Sequence, residues 1–327
     1  MAGEQSMSHP IAPLPSMSDL VQRYLSDRRR LGFSLEIAGS QLLAFARFAD
    51  QSGHQGPITK ALVVSWVRSS PRRSLVTWPR RIEIVRPFAK FCKKFDPANE
   101  IPDRHLFGRS HRRLVPHIYS EVEICGLLSS AKKLGPTGTL RPLTYCCLFG
   151  LIAATGLRFS EALNLGRSDV DLGSGTLTIR QTKFQKSRLV PTHPTTARML
   201  RKYAGARDQA VANICDRFFV STRGVGLKKT TVHGVFQRLR SQLGWVARGD
   251  HPLPRIHDLR HSFICHRVQQ WYQQGINVDH AILALSTYVG HTKVTDTYWY
   301  LTGIPDLMAI VSRKFERFAQ GGSHDSV

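Results

Sequence analysis

Apolar residues along this chain recur mostly at three- and four-residue spacing, and the period drops to two in one short region. Leu20, Tyr24 and Leu25 share a helical face, as do Leu42, Leu43, Phe45, Phe48 and Ala49. Residues 59–67 and 78–91 give two more amphipathic stretches, with Pro71, Pro79 and Pro87 punctuating or starting them. This pattern predicts a bundle of about four helices. Further on, Ser120-Glu121-Val122-Glu123 reads as a capping box opening a helix through Ala131. Residues 142–154 are strongly apolar, as a buried helix would be. Residues 169–175 read as a turn. Residues 176–180 alternate and are β-branched, and residues 187–190 pair with them as a hairpin around Lys183. Helices follow near 194–204, 230–244, 257–274, 278–288, 294–301 and 305–319. The fold class is mainly α with a small β-hairpin or sheet patch.

A break in the pattern divides the chain. Residues 107–116 are basic, end in Pro116 and lack an apolar period, which suits a strap lying along phosphates between two domains. The expected organisation is a disordered tail over 1–16, a helical domain over 17–108, a basic linker over 109–116, a second domain over 117–320 and a tail over 321–327. Met7 and Met17 are alternative starts.

Charge then narrows the function. The chain has 327 residues, 46 Lys and Arg against 23 Asp and Glu, and a net charge of +23. Residues 21–116 alone hold 19 Lys and Arg against 7 Asp and Glu. A surplus of that size favours a polyanionic partner, with nucleic acid ahead of an anionic membrane surface. Arg28, Arg29, Arg30, Arg112 and Arg113 are the DNA-binding candidates of this half. The longest apolar stretch, around residues 145–154, is far short of the roughly 20 residues of a membrane span, and the N-terminus lacks a signal-peptide pattern. Cys92, Cys125, Cys146, Cys147, Cys215 and Cys265 form no CxxC pair and no zinc spacing, so they read as buried thiols of a cytoplasmic protein.

The candidate chemistry lies in the second half. Arg158 stands just after Ala154-Thr155-Gly156, where a helix is expected to begin, and its planar fork can grip two phosphate oxygens. Glu161, three residues on, can hold that arginine. His257 and Arg260 are again three apart. They offer a second fork and a histidine to the same phosphate, with His261 beside them. Two guanidinium groups on one phosphoryl centre offset the charge that builds in its transition state. Lys183, at the expected hairpin tip, can protonate a leaving oxygen; Lys186 and Arg188 compete for a role there and are further DNA-binding candidates. Tyr298 and Tyr300 follow His291 by seven and nine residues. A phenol needs cationic neighbours and a proton acceptor to act as a nucleophile. No carboxylate triad, Walker loop or HExxH is present, so metal-dependent nuclease and ATPase readings lack their parts.

In order and spacing, these segments resemble the tyrosine recombinase, or phage integrase, family. Ala154-Thr155-Gly156-Leu157-Arg158-Phe159-Ser160-Glu161-Ala162-Leu163 resembles its first arginine box. Lys183-Phe184-Gln185-Lys186-Ser187-Arg188-Leu189-Val190-Pro191 resembles its lysine hairpin, although the usual flanking glycines are replaced by Thr182 and Phe184. His257-Asp258-Leu259-Arg260-His261-Ser262-Phe263 resembles the second box, and Val289-Gly290-His291 with Tyr300 the final histidine and nucleophile. The run from Asp296 to Leu301 also resembles integrases of bacterial transposons and genomic islands.

The resemblance implies a helical core-binding (SAM-like) domain followed by a catalytic domain. Arg158, Lys183, His257, Arg260 and His291 would surround one scissile phosphate, which Tyr300 attacks, with Glu161 and His261 in support and Tyr298 as the competing nucleophile. It implies a 3′-phosphotyrosyl link, no metal and no other cofactor. The partners would be double-stranded DNA and other protomers, in a homotetramer or a heterotetramer with related recombinases, with the last helix docking on a neighbour. A cytoplasmic, nucleoid-associated location follows. A type IB topoisomerase, or a DNA-binding protein of the same fold that does not cut, is the alternative.

Overall fold

The computed structural model describes residues 16–70, 77–108, 113–180, 187–212 and 215–303, together with 312 and 316. Lys183, Lys186, Arg112, Pro71, nearly all of both tails and all but two residues of the expected helix over 305–319 lie outside the described residues. The chain divides into two compact units, Met1–Arg113 and Leu114–Val327.

Among the described residues, four helices build the first unit: α1 (Met17–Arg30), α2 (Glu36–Gln51), α3 (Lys60–Arg68) and α4 (Thr77–Lys93). Ser16 starts α1 with a full capping box, its hydroxyl accepting from the Asp19 backbone N–H while the Asp19 carboxylate reaches back. The helical spacing of apolar residues turns Tyr24, Phe45, Trp66 and Phe88 into one core. Their rings meet edge-on, with centroids 5.3 Å apart for Phe45 and Trp66 and 5.5 Å for Tyr24 and Phe88. Pro87 neither starts nor ends a helix but lies inside α4, where it leaves that position without a backbone donor. Arg28, Arg29 and Arg30 form the last turn of α1. Arg29 and Arg30 are exposed, while Arg28 lies over the Phe33 ring, 4.1 Å from its centroid.

The second unit opens with α5 (Glu121–Lys132), whose capping box has the Ser120 N–H donating to Glu123 Oε2 at 2.8 Å. Helix α6 (Arg141–Thr155) is the buried centre, with ten inward residues running from Thr144 to Thr155. It packs on α5, on α8 (Pro194–Ala210) and on α10 (Ile256–Gln273). Helix α8 runs six residues past its expected end because Tyr203, Ala204 and Arg207 continue the buried stripe. Between α6 and α8 come the short α7 (Phe159–Asn164) and a three-stranded antiparallel sheet. Its strands are β1 (Val170–Asp171), β2 (Thr176–Ile179) and β3 (Arg188–Pro191), and Leu177 faces Val190 across the β2–β3 pair. Part of the expected turn over 169–175 is thus a strand: Val170 pairs with Leu177 and is buried. The turn proper is held by the Asp171 carboxylate, which accepts from the N–H groups of Gly173 and Ser174.

Helix α9 (Lys229–Gln242) packs on α5, and α11 (Val278–Val289) and α12 (Thr295–Gly303) close against α10. A core of Ile264, Cys265, Val268, Val278, Leu285, Val289 and Tyr300 joins the last three helices. Cys92, Cys146, Cys147 and Cys265 are buried and Cys215 is half-buried, but Cys125 is exposed, because α5 turns Leu127 and Ala131 inward instead. Among the described residues no helix is long and apolar enough to cross a membrane.

Candidate active site

The site is assembled at three helix ends. Helix α6 stops at Thr155, and Gly156 caps it in the left-handed region with φ 63°. A Cβ there would lie 2.5 Å from the Phe263 ring, so both the backbone and the space call for glycine. Thr155-Gly156 therefore ends a helix rather than beginning one. The chain buries Leu157 and presents Arg158 as the N-cap of α7. Glu161 closes the cap, accepting from the Arg158 backbone N–H at 3.0 Å and from Arg158 Nη1 at 2.7 Å.

The second end is the start of α10, which carries His257, Arg260 and His261 on its first turns. Arg260 is only 2% exposed. Its Nη1 donates to the carbonyls of Gly156 at 2.7 Å and Val289 at 2.8 Å, while its Nη2 is buried with no partner. Burial, and then the charge of Arg158, lower its pKa to about 10, so it remains a cation at neutral pH.

The third end is the C-terminus of α11. The last carbonyls of a helix have no internal donor and carry the negative end of its dipole. Here three consecutive ones each take an arginine. Arg188 Nε donates to Tyr288 O at 2.9 Å, Arg260 Nη1 to Val289 O at 2.8 Å, and Arg158 Nη2 to Gly290 O at 2.5 Å. Gly290 then turns the chain left-handed, φ 75°, into His291. His291 Nδ1 lies 2.7 Å from the buried Thr297 Oγ1 on α12, which fixes the ring.

Tyr300 lies inside this frame, 3% exposed. Its hydroxyl is 2.6 Å from His261 Nδ1, and its ring stacks on His291 with centroids 6.3 Å apart. His261 in turn meets His257 edge-on at 4.7 Å. Burial, and then the neighbouring His257 and arginines, push His261 far down, so at neutral pH it is uncharged and its Nδ1 can accept a hydrogen bond from the phenol. His257 is lowered as well, by the protein packed around it and then by Arg260 and Arg255. It still keeps a face open to solvent, so water softens that shift while leaving its direction. Burial raises the Glu161 carboxyl, but the hydrogen bonds and charge of Arg188, with the bonds from Arg158, more than offset this and hold it below the usual carboxylate range.

Of the expected site residues, Arg158, Glu161, His257, Arg260, His261, His291 and Tyr300 meet here. Tyr298, the rival phenol, is 37% exposed on the same helix. Lys183 and Lys186 lie outside the described residues, and Arg28, Arg29, Arg30 and Arg113 lie in the first unit. Arg188 was expected on DNA. Instead its side chain is 10% exposed, and its fork grips both Glu161 oxygens, at 3.1 and 2.8 Å. Thr297 and the α11 carbonyls went unread in the sequence, since neither carries a charge or a period of its own. Among the described residues, no three His, Cys, Asp or Glu side chains group as metal ligands.

Known proteins resemble this chain over most of its length. The phage integrase family model matches residues 123–303. The chain is 40% identical over 304 residues to y4rB of Sinorhizobium fredii, named an integrase/recombinase, covering 91% of this chain and 96% of that protein. It is 27% identical over 227 residues to the tyrosine recombinase XerC of Chlamydia caviae, covering 68% of this chain and 66% of XerC. Among solved structures, XerH site-specific recombinase bound to its difH substrate aligns with TM-score 0.64 at 19% identity, covering 92% of this chain and 85% of XerH. The Tn1549 transposon integrase bound to transposon right-end DNA also aligns with TM-score 0.64, at 15% identity, covering 93% of this chain and all of that one.

Proposed function

The chain belongs to the phage integrase family, and from that membership we propose that it is a site-specific DNA recombinase, acting on a mobile element, whose nucleophile is Tyr300. The observation that carries the reading is Arg260. A guanidinium 2% exposed, with one nitrogen lacking any partner, is a costly thing to build unless an anion completes it. Arg158, close enough to depress the pKa of Arg260, supplies the second fork. One phosphodiester between the two forks, with Tyr300 in reach, satisfies every group.

The chemistry follows from the neighbours. The Tyr300 oxygen attacks phosphorus and its proton passes to His261 Nδ1, 2.6 Å away, whose proton affinity rises once the phosphate anion enters the site. Arg158 and Arg260 stabilise the charge on the non-bridging oxygens, and His257, on the open face, donates to one of them. The bond to the 5′ oxygen breaks, and Lys183 returns a proton to it. The 3′ end stays linked to Tyr300, so the phosphodiester energy is kept. A 5′-hydroxyl from another duplex can reverse the step and restore the phenol, with no nucleotide hydrolysed. Strand exchange of this kind takes protomers in pairs, within a tetramer on the DNA. The exposed arginines of the first unit add phosphate contacts that carry affinity without carrying chemistry.

The test uses supercoiled plasmids with and without two copies of the DNA site to which the protein links itself. Recombinant products only from the plasmid bearing the sites are expected. Relaxation of both plasmids alike, with no recombinants, would instead mark a topoisomerase.

A further inference from the structure

We infer that Arg188 is a positioning residue of the recombination site: it answers the charge of Glu161, so that Arg158 stays available to the scissile phosphate, and it ties the start of β3 to the end of α11. This inference rests on the recombinase reading above. All three guanidinium nitrogens of Arg188 donate within the protein. Nη1 and Nη2 take the two Glu161 oxygens at 3.1 and 2.8 Å, and Nε takes Tyr288 O at 2.9 Å. Three of its five N–H bonds are thus used, and with the side chain only 10% exposed the other two have little reach to DNA. Gly290 shows how closely this arginine is fitted, because a Cβ there would stand 2.5 Å from Arg188 Nη1.

Charge gives the reason for a third arginine. Glu161 is needed to shape the cap that presents Arg158, but a buried carboxylate beside Arg158 alone would cancel the charge meant for DNA. With Arg188 present, three guanidinium groups stand against one carboxylate, and two positive charges remain. A phosphodiester under attack by a phenolate carries two negative charges at its transition state, which that surplus matches.

Geometry gives the second reason. Strand β3 is joined to α11 at both ends, by Arg188 on the Tyr288 carbonyl and by Tyr288 Oη on the Pro191 carbonyl at 3.0 Å. The segment just before Arg188 bears Lys183 and Lys186. Arg188 thus fixes the start of β3 relative to the carbonyls that also hold Arg158 and Arg260.

The experiment measures covalent adduct on a nicked duplex carrying the linked site, and affinity for a plain duplex across a salt series. The variants are Arg188→Met, Arg188→Lys and the double Glu161→Gln with Arg188→Met. Arg188→Met should lower the adduct rate about 100-fold, the scale of a displaced reacting group, with an unchanged salt slope. Arg188→Lys, which keeps charge but not the fork, should fall between it and the wild type. The double variant removes both buried charges and leaves Arg158 free, so it should recover about tenfold over Arg188→Met. It also serves if the single variant fails to fold. A salt slope reduced by about one in Arg188→Met would make Arg188 a phosphate contact after all. A double variant no better than the single would remove the charge argument and overturn the assignment alone. No adduct even from the wild type would overturn the recombinase reading and this inference with it.

Discussion

Replacing Arg260 by methionine separates the two things this arginine does. The folded protein bears a penalty for keeping it charged: the guanidinium falls from 12.5 to about 10. At about 1.4 kcal/mol per tenfold change in proton affinity, that is about 3 kcal/mol. Arg260→Met relieves it. The same change removes two charge-assisted hydrogen bonds, to Gly156 O and Val289 O. Each is worth about 1.5–3 kcal/mol, so together they set a loss of about 3–6 kcal/mol against the relief. Folding stability should therefore fall by no more than about 3 kcal/mol, or about 10 °C in Tm for a unit of this size. Cleavage should suffer far more, because the buried fork acts on charge that exists only in the transition state. A loss of at least about 10²–10³-fold is expected. The assay pairs adduct formation, read as a shifted band in detergent gels, with thermal unfolding of the same preparation. Adduct within tenfold of wild type, or a loss that merely tracks the unfolded fraction, would refute the reasoning.

Tyr300→Phe should form no covalent adduct, while Tyr298→Phe, altered at an exposed ring, should form it at close to the wild-type rate; gel assays of the two settle which phenol reacts. His257 and His261 have folded pKa values below the unfolded 6.5, so the unfolded chain binds more protons as pH drops. Stability should then decline from pH 6.5 towards about 4, and the double variant His257→Asn with His261→Asn should flatten that decline in urea titrations. Gly290→Ala places a Cβ 2.5 Å from Arg188 Nη1 at a φ of 75°. It should cost about 1–2 kcal/mol for the left-handed backbone and slow adduct formation by displacing Arg188; an unchanged rate would mean that the fit around Arg188 is loose. Arg29→Ala with Arg30→Ala should weaken DNA binding for all sequences and lower the salt slope by about one per arginine that touches phosphate, as a salt series on plain duplex would show.

How much of this could be read in the chain depends on how locally each feature is written. The helical frame is local, because Phe45, Phe88 and the α6 stripe repeat at the spacing of a turn. The candidate site pairs are local too: Arg158 with Glu161, at the start of α7, and His257 with Arg260, on α10, are each three apart. What escaped depends on distant partners. Glu161 finds Arg188 27 residues away, and Arg188 finds the Tyr288 carbonyl 100 residues away. No period marks either, so Arg188 read as one more cation for DNA. The glycine at 156 signals a turn without saying which side of it is helical, hence the misplaced start before Arg158. Val170 and Asp171 make a strand too short to show alternation. Tyr298 and Tyr300 are equal as sequence, and only packing puts one against His261.

The central claim is that Tyr300 links this protein to DNA at a defined site. The direct test isolates DNA covalently bound to the protein from its host after detergent lysis, without crosslinker, and sequences the ends, for the wild type and for Tyr300→Phe. The account predicts a few sharp sites in the wild type, each lost in the variant. Adduct that survives in Tyr300→Phe, ends scattered across the genome, or no linked DNA from the wild type would contradict it.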